Sequence, residues 1–495
     1  MRALIPAALA ACALAMGVPA AAGPVAVNTA IQNVAASDVV TVAASRRKQP
    51  RRAYVDVPVR PRVLGSAPEC PGLTSWNPAN PDRGSATAGG RRAARGADVA
   101  KVNTEAAAAR CPVLSWNEWD PLREIIVGTA RGAADMAYEP ALSPYYPPGS
   151  PGRALRGGPV HPAVVDEAER QLDAFAELLA RRGVTVRRPD PVDHAVAFSS
   201  PDWDSPGGHA SACPRDSLLV VGDEIIEAPM AQRARYFEIR AYRNLLMTYF
   251  RSGARWTAAP KPRMTDALYR EREAGKEQPF DFAAGPLLSE CEPAFDAACF
   301  ARCGRDIFWR PDLVSNEAGA GWLQRHLGPD FRIHRIAFRE ATPTHIDTTL
   351  VPVRPGVVLV NPERPCTDGA LELFAANGWR LVVAPPSVRT GRSPARDVSN
   401  WISMNILMLD ERTVIVEQAE TPMIELMRSL GCEVIPCPFD RVYAFGGGFH
   451  CCTLDIRKDG RLESYFPTLD DRRVGRSRAL ASGRVHQNVC FDKRP

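Results

Sequence analysis

Between residues 216 and 431 one hydrophobic plan recurs three times: an apolar run, a tight polar turn, a second apolar run, then a helical pattern. It is carried by "DSLLVVGDEIIEAPMAQRARYFEIRAY" (216–242), "HIDTTLVPVRPGVVLVNPERPCTDGALELFAANG" (345–378) and "SMNILMLDERTVIVEQAETPMIELMRSLG" (403–431). The turn residues Gly-Asp-Glu, Arg-Pro-Gly and Asp-Glu-Arg suit hairpins, and each helical part opens beside a proline or polar cap. Upstream, "WDPLREIIVGTA" (119–130) predicts a strand, and a Pro/Gly-rich loop follows to about residue 160. From His161 to Gly183, Val164, Val165, Ala168, Leu172, Phe175, Leu178 and Leu179 fall at helical spacing and predict an amphipathic helix. The repetition favours an α/β architecture of hairpin-plus-helix units over a Rossmann sheet, and no G-x-G-x-x-G follows a strand.

Composition divides the chain unevenly. The first 110 residues hold 14 basic and 6 acidic side chains and the remaining 385 hold 47 and 50, so the formal charge of +5 belongs to the leader. The body thus gives no electrostatic reason to expect nucleic acid or an anionic membrane as partner. Residues 1–22, one arginine and an apolar run ending in Ala20-Ala21-Ala22, have the shape of a signal peptide. A transit peptide or an upstream start codon fits the same stretch, which leaves secretory, organellar and cytoplasmic locations open. Residues 23–110, rich in Ala, Arg, Pro and Gly without a period, are expected to be a poorly ordered extension, and residues 111–495 the folded catalytic domain. No other run of about 18 apolar residues occurs, so no membrane is expected for the mature body. Thirteen cysteines at irregular spacing read as mostly free thiols rather than a disulfide framework.

Chemistry concentrates in "GGGFHCCT" (446–453). Three glycines allow close approach of a ligand to backbone, and "FHCCTLDI" alternates like a strand, which would turn His450 and Cys451, and likewise Cys451 and Cys452, to opposite faces. A nucleophilic thiolate needs a base or cation and a third, orienting group. His345 in "TPTHIDTTL" stands at the mouth of a predicted strand, with Asp347 two residues on and on the same face, and Asp296 in "EPAFDAACFARCGRDIF" is a carboxylate in an apolar run. Asp296, Cys299 and Cys303 fall at helical spacing, but nothing completes a tetrahedral metal set. Arg233, Arg235 and Glu238 suit a solvated helix face better than a nucleic-acid face.

With these residues in place, the sequence resembles the glycine amidinotransferase family, L-arginine amidinotransferases of the pentein superfamily. The likeness runs through nearly all of 111–468, in "CPVLSWNEWDPLREIIVG", "PRDSLLVVGDEIIEAPM", "FEIRAYRNL", "WTAAPKPRM", "EPAFDAACF", "GRDIF", "HIDTTL", "VLVNPERPC", "WISMNILMLDE" and "GGGFHC". It implies a pentein-type five-bladed α/β propeller, which the hairpin-plus-helix repeats suit. It also implies Cys451 as nucleophile, His345 as acid/base and Asp296 as orienting carboxylate, with Asp216, Asp347, Arg364 and Ser399 holding arginine. Cys452 stands where the family more often has tryptophan, and Val398 where it has a second serine. Glycine-using members typically show "NPMHIDATF", whereas Thr342 and Thr344 stand before His345 here.

The expected reaction moves the amidino group of L-arginine through an amidino-cysteine to an acceptor amine and releases ornithine, without metal or organic cofactor. Thr342 and Thr344 favour a larger amine of natural-product biosynthesis, of the streptomycin, cylindrospermopsin or saxitoxin kind. Glycine, giving guanidinoacetate, is the alternative acceptor. An arginine hydrolase and a non-catalytic arginine-binding homologue are the rival readings. A homodimer is compatible with all of them.

Overall fold

The computed structural model describes residues 111–469 apart from 147–148, 271–285, 341 and 390–398; the expected leader (1–22) and extension (23–110), and residues 470–495 of the expected folded body, lie outside the described residues. Five three-stranded sheets form the blades of the α/β propeller expected from the repeats. Blade 2 is Leu218–Val221, Glu224–Glu227 and Arg255–Ala258, and blade 3 is Phe300–Cys303, Asp306–Trp309 and Arg332–Arg335. Leu350–Arg354, Val357–Val360 and Arg380–Val383 make blade 4, and Leu407–Met408, Thr413–Glu417 and Glu433–Cys437 make blade 5. In each, an inner strand pairs antiparallel with the middle strand, a helix follows, and the third strand returns parallel to the middle one.

Blade 1 obeys the same plan with its parts permuted. The late strand Thr453–Lys458 is its inner strand and pairs antiparallel with Leu122–Val127, which in turn lies parallel to Thr185–Arg187. The two ends of the folded body therefore close the ring through backbone hydrogen bonds. Its helix, Pro162–Arg181, starts with proline at its first turn, where the missing N–H costs nothing, under a His161 side chain that accepts from Ala163 N. Ala168, Leu172, Phe175 and Leu179 form its fully buried stripe.

Two sequence expectations change. The loop before residue 160 contains a further hairpin, Ala134–Ala137 paired with Arg156–Pro159, whose glycines concealed the strand pattern. Blade 3 is a fourth consecutive copy of the repeat, hidden because Arg302 and Asp306 interrupt its apolar runs; both are buried, and Gly304 (φ +67°) makes its turn. All ten cysteines among the described residues are free thiols, as expected, and no helix among those residues is long and apolar enough to cross a membrane.

The inner strands meet around a buried ionic cluster. Arg302 of blade 3 donates to both carboxylate oxygens of Glu118 at 2.9 Å, to the Ser115 hydroxyl at 2.9 Å, to Val220 O of blade 2 at 2.8 Å, and to Asp455 of blade 1. Arg215 takes the other Asp455 oxygen, and Lys458 donates to three carbonyls, among them Met408 of blade 5. Removing one member strands a charge in the core, so Arg302→Met is expected to cost about 3–5 kcal/mol of unfolding free energy, read from urea unfolding at neutral pH. A change below about 1 kcal/mol would show that the cluster does not hold the blades.

Candidate active site

Every inner strand is entered through a short turn that presents one polar side chain. Asp216 lies in the single helical turn Pro214–Ser217 before blade 2, and Asp296 caps the 3-10 turn Ala297–Cys299 before blade 3. Asp347 precedes the inner strand of blade 4, Asn405 follows the 3-10 turn Ile402–Met404 before blade 5, and Cys451 sits in the turn before Thr453 of blade 1. These five positions converge. Sγ of Cys451, a ring nitrogen of His345 and a carboxylate oxygen of Asp216 all lie within 4.8 Å of one another.

One half of the site is built on Arg235. Its Nε and Nη2 fork the two oxygens of Glu238, each at 2.9 Å, while Nη1 reaches Asp216 Oδ2 at 3.0 Å and Asp296 Oδ2 at 3.4 Å. Asp296 Oδ2 also pairs with His345 Nε2 at 3.1 Å, and His345 Nδ1 stands 3.7 Å from Asp216 Oδ1. Burial opposes a charge on His345, but Asp216, the bond to Asp296 and the Asp347 charge together outweigh it and raise its pKa to about 10. Burial pushes the Asp296 carboxyl up despite its two cationic partners. His345 adopts φ +57°, a strained conformation for a residue with a side chain, and both its backbone groups are held: N–H donates to Asp312 Oδ2 at 2.7 Å and O accepts from Arg310 at 3.0 Å.

The other half surrounds the sulfur. The Cys451 thiol donates to Asp347 Oδ2 at 3.2 Å and accepts from Asn405 Nδ2 at 3.1 Å. His450 Nδ1 meets the same Asp347 oxygen at 2.9 Å, and its Nε2 meets Glu118 at 3.3 Å. Carboxylates on both ring nitrogens require both N–H groups, so burial and Arg215 fail to keep the ring neutral and the pKa of His450 is raised. Asp347 in turn is held at about 2, because the His450 bond and the charges of both histidines overcome its burial. The thiol of Cys451 is pushed well above the ordinary cysteine range by burial and by the Asp347 and Asp216 charges. Oδ1 of Asp216, of Asp296 and of Asp347 is buried without a hydrogen-bond partner.

Each glycine of the triplet has its own reason. Gly446 adopts φ +85° to end the preceding turn, a Cβ on Gly447 would lie 2.6 Å from Cys213 Sγ and 2.7 Å from Cys451 Cβ, and one on Gly448 would lie 2.8 Å from Asn405. The expectation that His450 and Cys451 face apart is corrected: 449–452 is a turn closed by Cys452 N to Gly448 O at 2.9 Å, and both side chains reach Asp347. Cys452 does turn away, packing against Cys213 with the sulfurs 3.7 Å apart.

Other expectations are revised as well. His345 and Asp347 share the site through a turn, since the strand begins only at Leu350. Asp296, Cys299 and Cys303 lie on a 3-10 turn and a strand rather than a helix, and Cys299 donates to Asp312. Arg235 and Glu238 are buried, not solvated; only Arg233 keeps to the periphery, on Met264 O and Asp266. Arg364 donates to Thr348 and Thr349, the two residues after Asp347, and to Ser399 and Glu340, both at 2.9 Å. Thr344 hydrogen-bonds the hydroxyl of Tyr145, while Thr342 is half-buried. Sequence reasoning missed Asn405 and gave Arg235 and His450 no place in the site, although alignment of the residue preceding each inner strand would have singled out Asn405.

A pKa raised from 6.5 to about 10 makes the charged form of His345 part of the folding free energy: its contribution is full below about 6.5 and is lost as pH rises through about 10. Calorimetric melting temperatures are expected to fall more steeply with rising pH in the unaltered protein than in His345→Asn over that range. Parallel curves would contradict the ion cluster.

No family model matches the chain. It is 46% identical over 356 residues to the L-arginine:L-lysine amidinotransferase of Pseudomonas savastanoi pv. phaseolicola, covering 72% of this chain and 96% of that one. It is 44% identical over 362 residues to the mitochondrial glycine amidinotransferase of Gallus gallus, covering 72% and 85%. Among solved structures, an amidinotransferase of the saxitoxin biosynthetic pathway from Microseira wollei superposes with a TM-score of 0.65 at 46% identity, over 72% of this chain and all of that one. The inosamine-phosphate amidinotransferase of Streptomyces griseus gives 0.65 at 38%, over 72% and 99%. With five blades and relatives of this identity over nearly their whole length, the chain belongs to the amidinotransferase family of the pentein superfamily, enzymes that transfer amidino groups.

Proposed function

We propose that the protein transfers the amidino group of L-arginine through Cys451 to an amine larger than glycine. The observation that carries the reading is the meeting of the Cys451 sulfur, His345 and Asp216 beside three buried, unpartnered carboxylate oxygens. Around Arg235 and His345, three carboxylates face two cations, so a guanidinium supplies the missing positive charge and the missing donors. His345, held as imidazolium, has no lone pair to give a metal, which favours reading the trio as reacting groups.

Approach of the guanidinium favours the thiolate of Cys451, which attacks the guanidino carbon. The bond to the ornithine nitrogen breaks with its electron pair, and His345 gives that nitrogen a proton. The thiol proton is released to solvent, ornithine carries the proton given by His345, and an S-amidino cation remains on Cys451. The acceptor amine then attacks, losing a proton to the now neutral His345, and sulfur leaves with the bonding pair. Asp296 and Arg235 hold the imidazole and Asp216 in register. Arg364 and Ser399 stand ready for the amino-acid end of arginine, with Arg364 exchanging the Glu340 carboxylate for that of the substrate.

A larger acceptor is favoured by Thr344 and Tyr145, which put hydroxyls where glycine-using members carry a thioether. The 46% likeness to enzymes of L-lysine and saxitoxin chemistry points the same way, and the glycine-using relative at 44% keeps glycine as the second reading. Incubation of the full chain with arginine and a panel of glycine, L-lysine and bulkier amines, followed by intact mass and ornithine release, tests both. An amidino adduct absent in Cys451→Ala, cleared by a larger amine faster than by glycine, is expected. Clearance by glycine alone would select the second reading; citrulline or urea formed without an amine would mark a hydrolase. Tyr145→Phe is expected to raise the acceptor KM about 5-fold, the worth of one neutral hydrogen bond, with the arginine KM unchanged in steady-state assays.

A further inference from the structure

Four of the five turns that enter the inner strands supply residues to which the amidino transfer assigns a role; the fifth supplies Asn405. We propose that Asn405 is a catalytic residue whose carboxamide stabilises the Cys451 thiolate by donating Nδ2–H to the sulfur, an inference that rests on Cys451 being the nucleophile.

The orientation of the carboxamide follows from its other contacts. Asn405 Oδ1 accepts from the backbone N–H of His450 at 2.9 Å and of Cys451 at 3.1 Å. A backbone N–H only donates, so the oxygen must face the turn and the NH2 group must face Sγ, 3.1 Å away. The same side chain therefore fixes the turn that carries the nucleophile and points a donor at it. Gly448 is what lets it so close, since a Cβ there would meet Asn405 Cβ and Oδ1 at 2.8 Å.

The two hydrogen bonds to the sulfur among the described residues act in opposite senses. Asp347 Oδ2 accepts the thiol proton and favours the neutral form; Asn405 donates and favours the anion. Burial and the surrounding carboxylates already disfavour the thiolate, so a fixed neutral donor at the sulfur offsets them without adding a charge for the guanidinium to meet. The charged and titratable groups around the sulfur are Asp216, Asp347, the His345 imidazolium, the His450 ring that shares the Asp347 oxygen, and the Cys213 thiol. The donor acts twice in the cycle. It supports the anion before attack, and it receives sulfur again when the S–C bond breaks and the pair returns to Sγ.

Asn405→Asp separates the two functions of the side chain: Oδ1 keeps both backbone N–H groups, while a carboxylate oxygen replaces the donor. We expect the pH midpoint for alkylation of Cys451 by iodoacetamide, followed by peptide mass, to rise by at least about one pH unit. Formation of the amidino adduct from arginine is expected to slow about 100-fold, the usual loss on removing one fixed donor from a developing anion. Because the new carboxylate raises a nearby thiol by its charge alone, the neutral Asn405→Leu must raise the midpoint as well; a midpoint left in place in Asn405→Leu, or adduct formation at the unaltered rate, would overturn the proposal. If the unaltered protein forms no adduct while the neutral Asn405→Leu still raises the midpoint, the nucleophile reading fails and the donor assignment stands. Should the variant not fold, the unaltered protein labelled with 15N-asparagine decides: one carboxamide resonance must titrate with Cys451 and lose its titration in Cys451→Ala. Absence of such a resonance would also overturn the assignment.

Discussion

Carboxylates buried at the axis of the propeller govern the rest of the molecule. Each costs several kcal/mol to take out of water unless a cation and donors meet it, and here the partners come from different blades. Arg302 joins Glu118 and Asp455, Arg215 takes Asp455 again, and Arg235 spans Asp216, Glu238 and Asp296. The blades are thus positioned by charge as well as by packing, and the site inherits its geometry from that requirement. His450 connects the two levels, with one ring nitrogen on Glu118 of the central cluster and the other on Asp347 beside the sulfur.

The same balance bears on how the proposed reaction would begin. A thiol raised by burial and by two neighbouring carboxylates is a poor nucleophile. In the proposed reaction an arriving guanidinium lowers the cost of the thiolate at the moment that it presents the carbon to be attacked, which makes the substrate part of the electrostatic environment.

Much of this was legible in the sequence, and the remainder was hidden for physical reasons. Cys451, His345 and Asp296 stand out because a cysteine after three glycines, a histidine before a strand and an aspartate in an apolar run each violate the local pattern. Arg235 and Glu238 do not: in "AQRARYFEIRAY" they look like any amphipathic surface, and only the fold reveals that they point to the axis. Arg302 and Asp306 hid a whole blade, because buried charges, each paired elsewhere, break the apolar run that marks a buried strand. Blade 1 was invisible for a different reason. Its hairpin partners, such as Val127 and Thr453, lie at opposite ends of the folded body, beyond the reach of any local periodicity. The turn at 449–452 was mistaken for strand because its side chains alternate in polarity while its backbone, closed on Gly448, does not extend.

The permuted first blade also sets an order of events on the ribosome. Residues 122–127 emerge early, yet their antiparallel partner 453–458, and with it Cys451, is nearly the last part of the folded body to be synthesised. The carboxylates of blades 2, 3 and 4 exist before the sulfur that they will surround, and the exposed edge of 122–127 stays unpaired until the nucleophile arrives. Closing the ring and completing the proposed site are therefore one act, so a nascent chain that has not reached 453–458 does not yet hold Cys451 against Asp347.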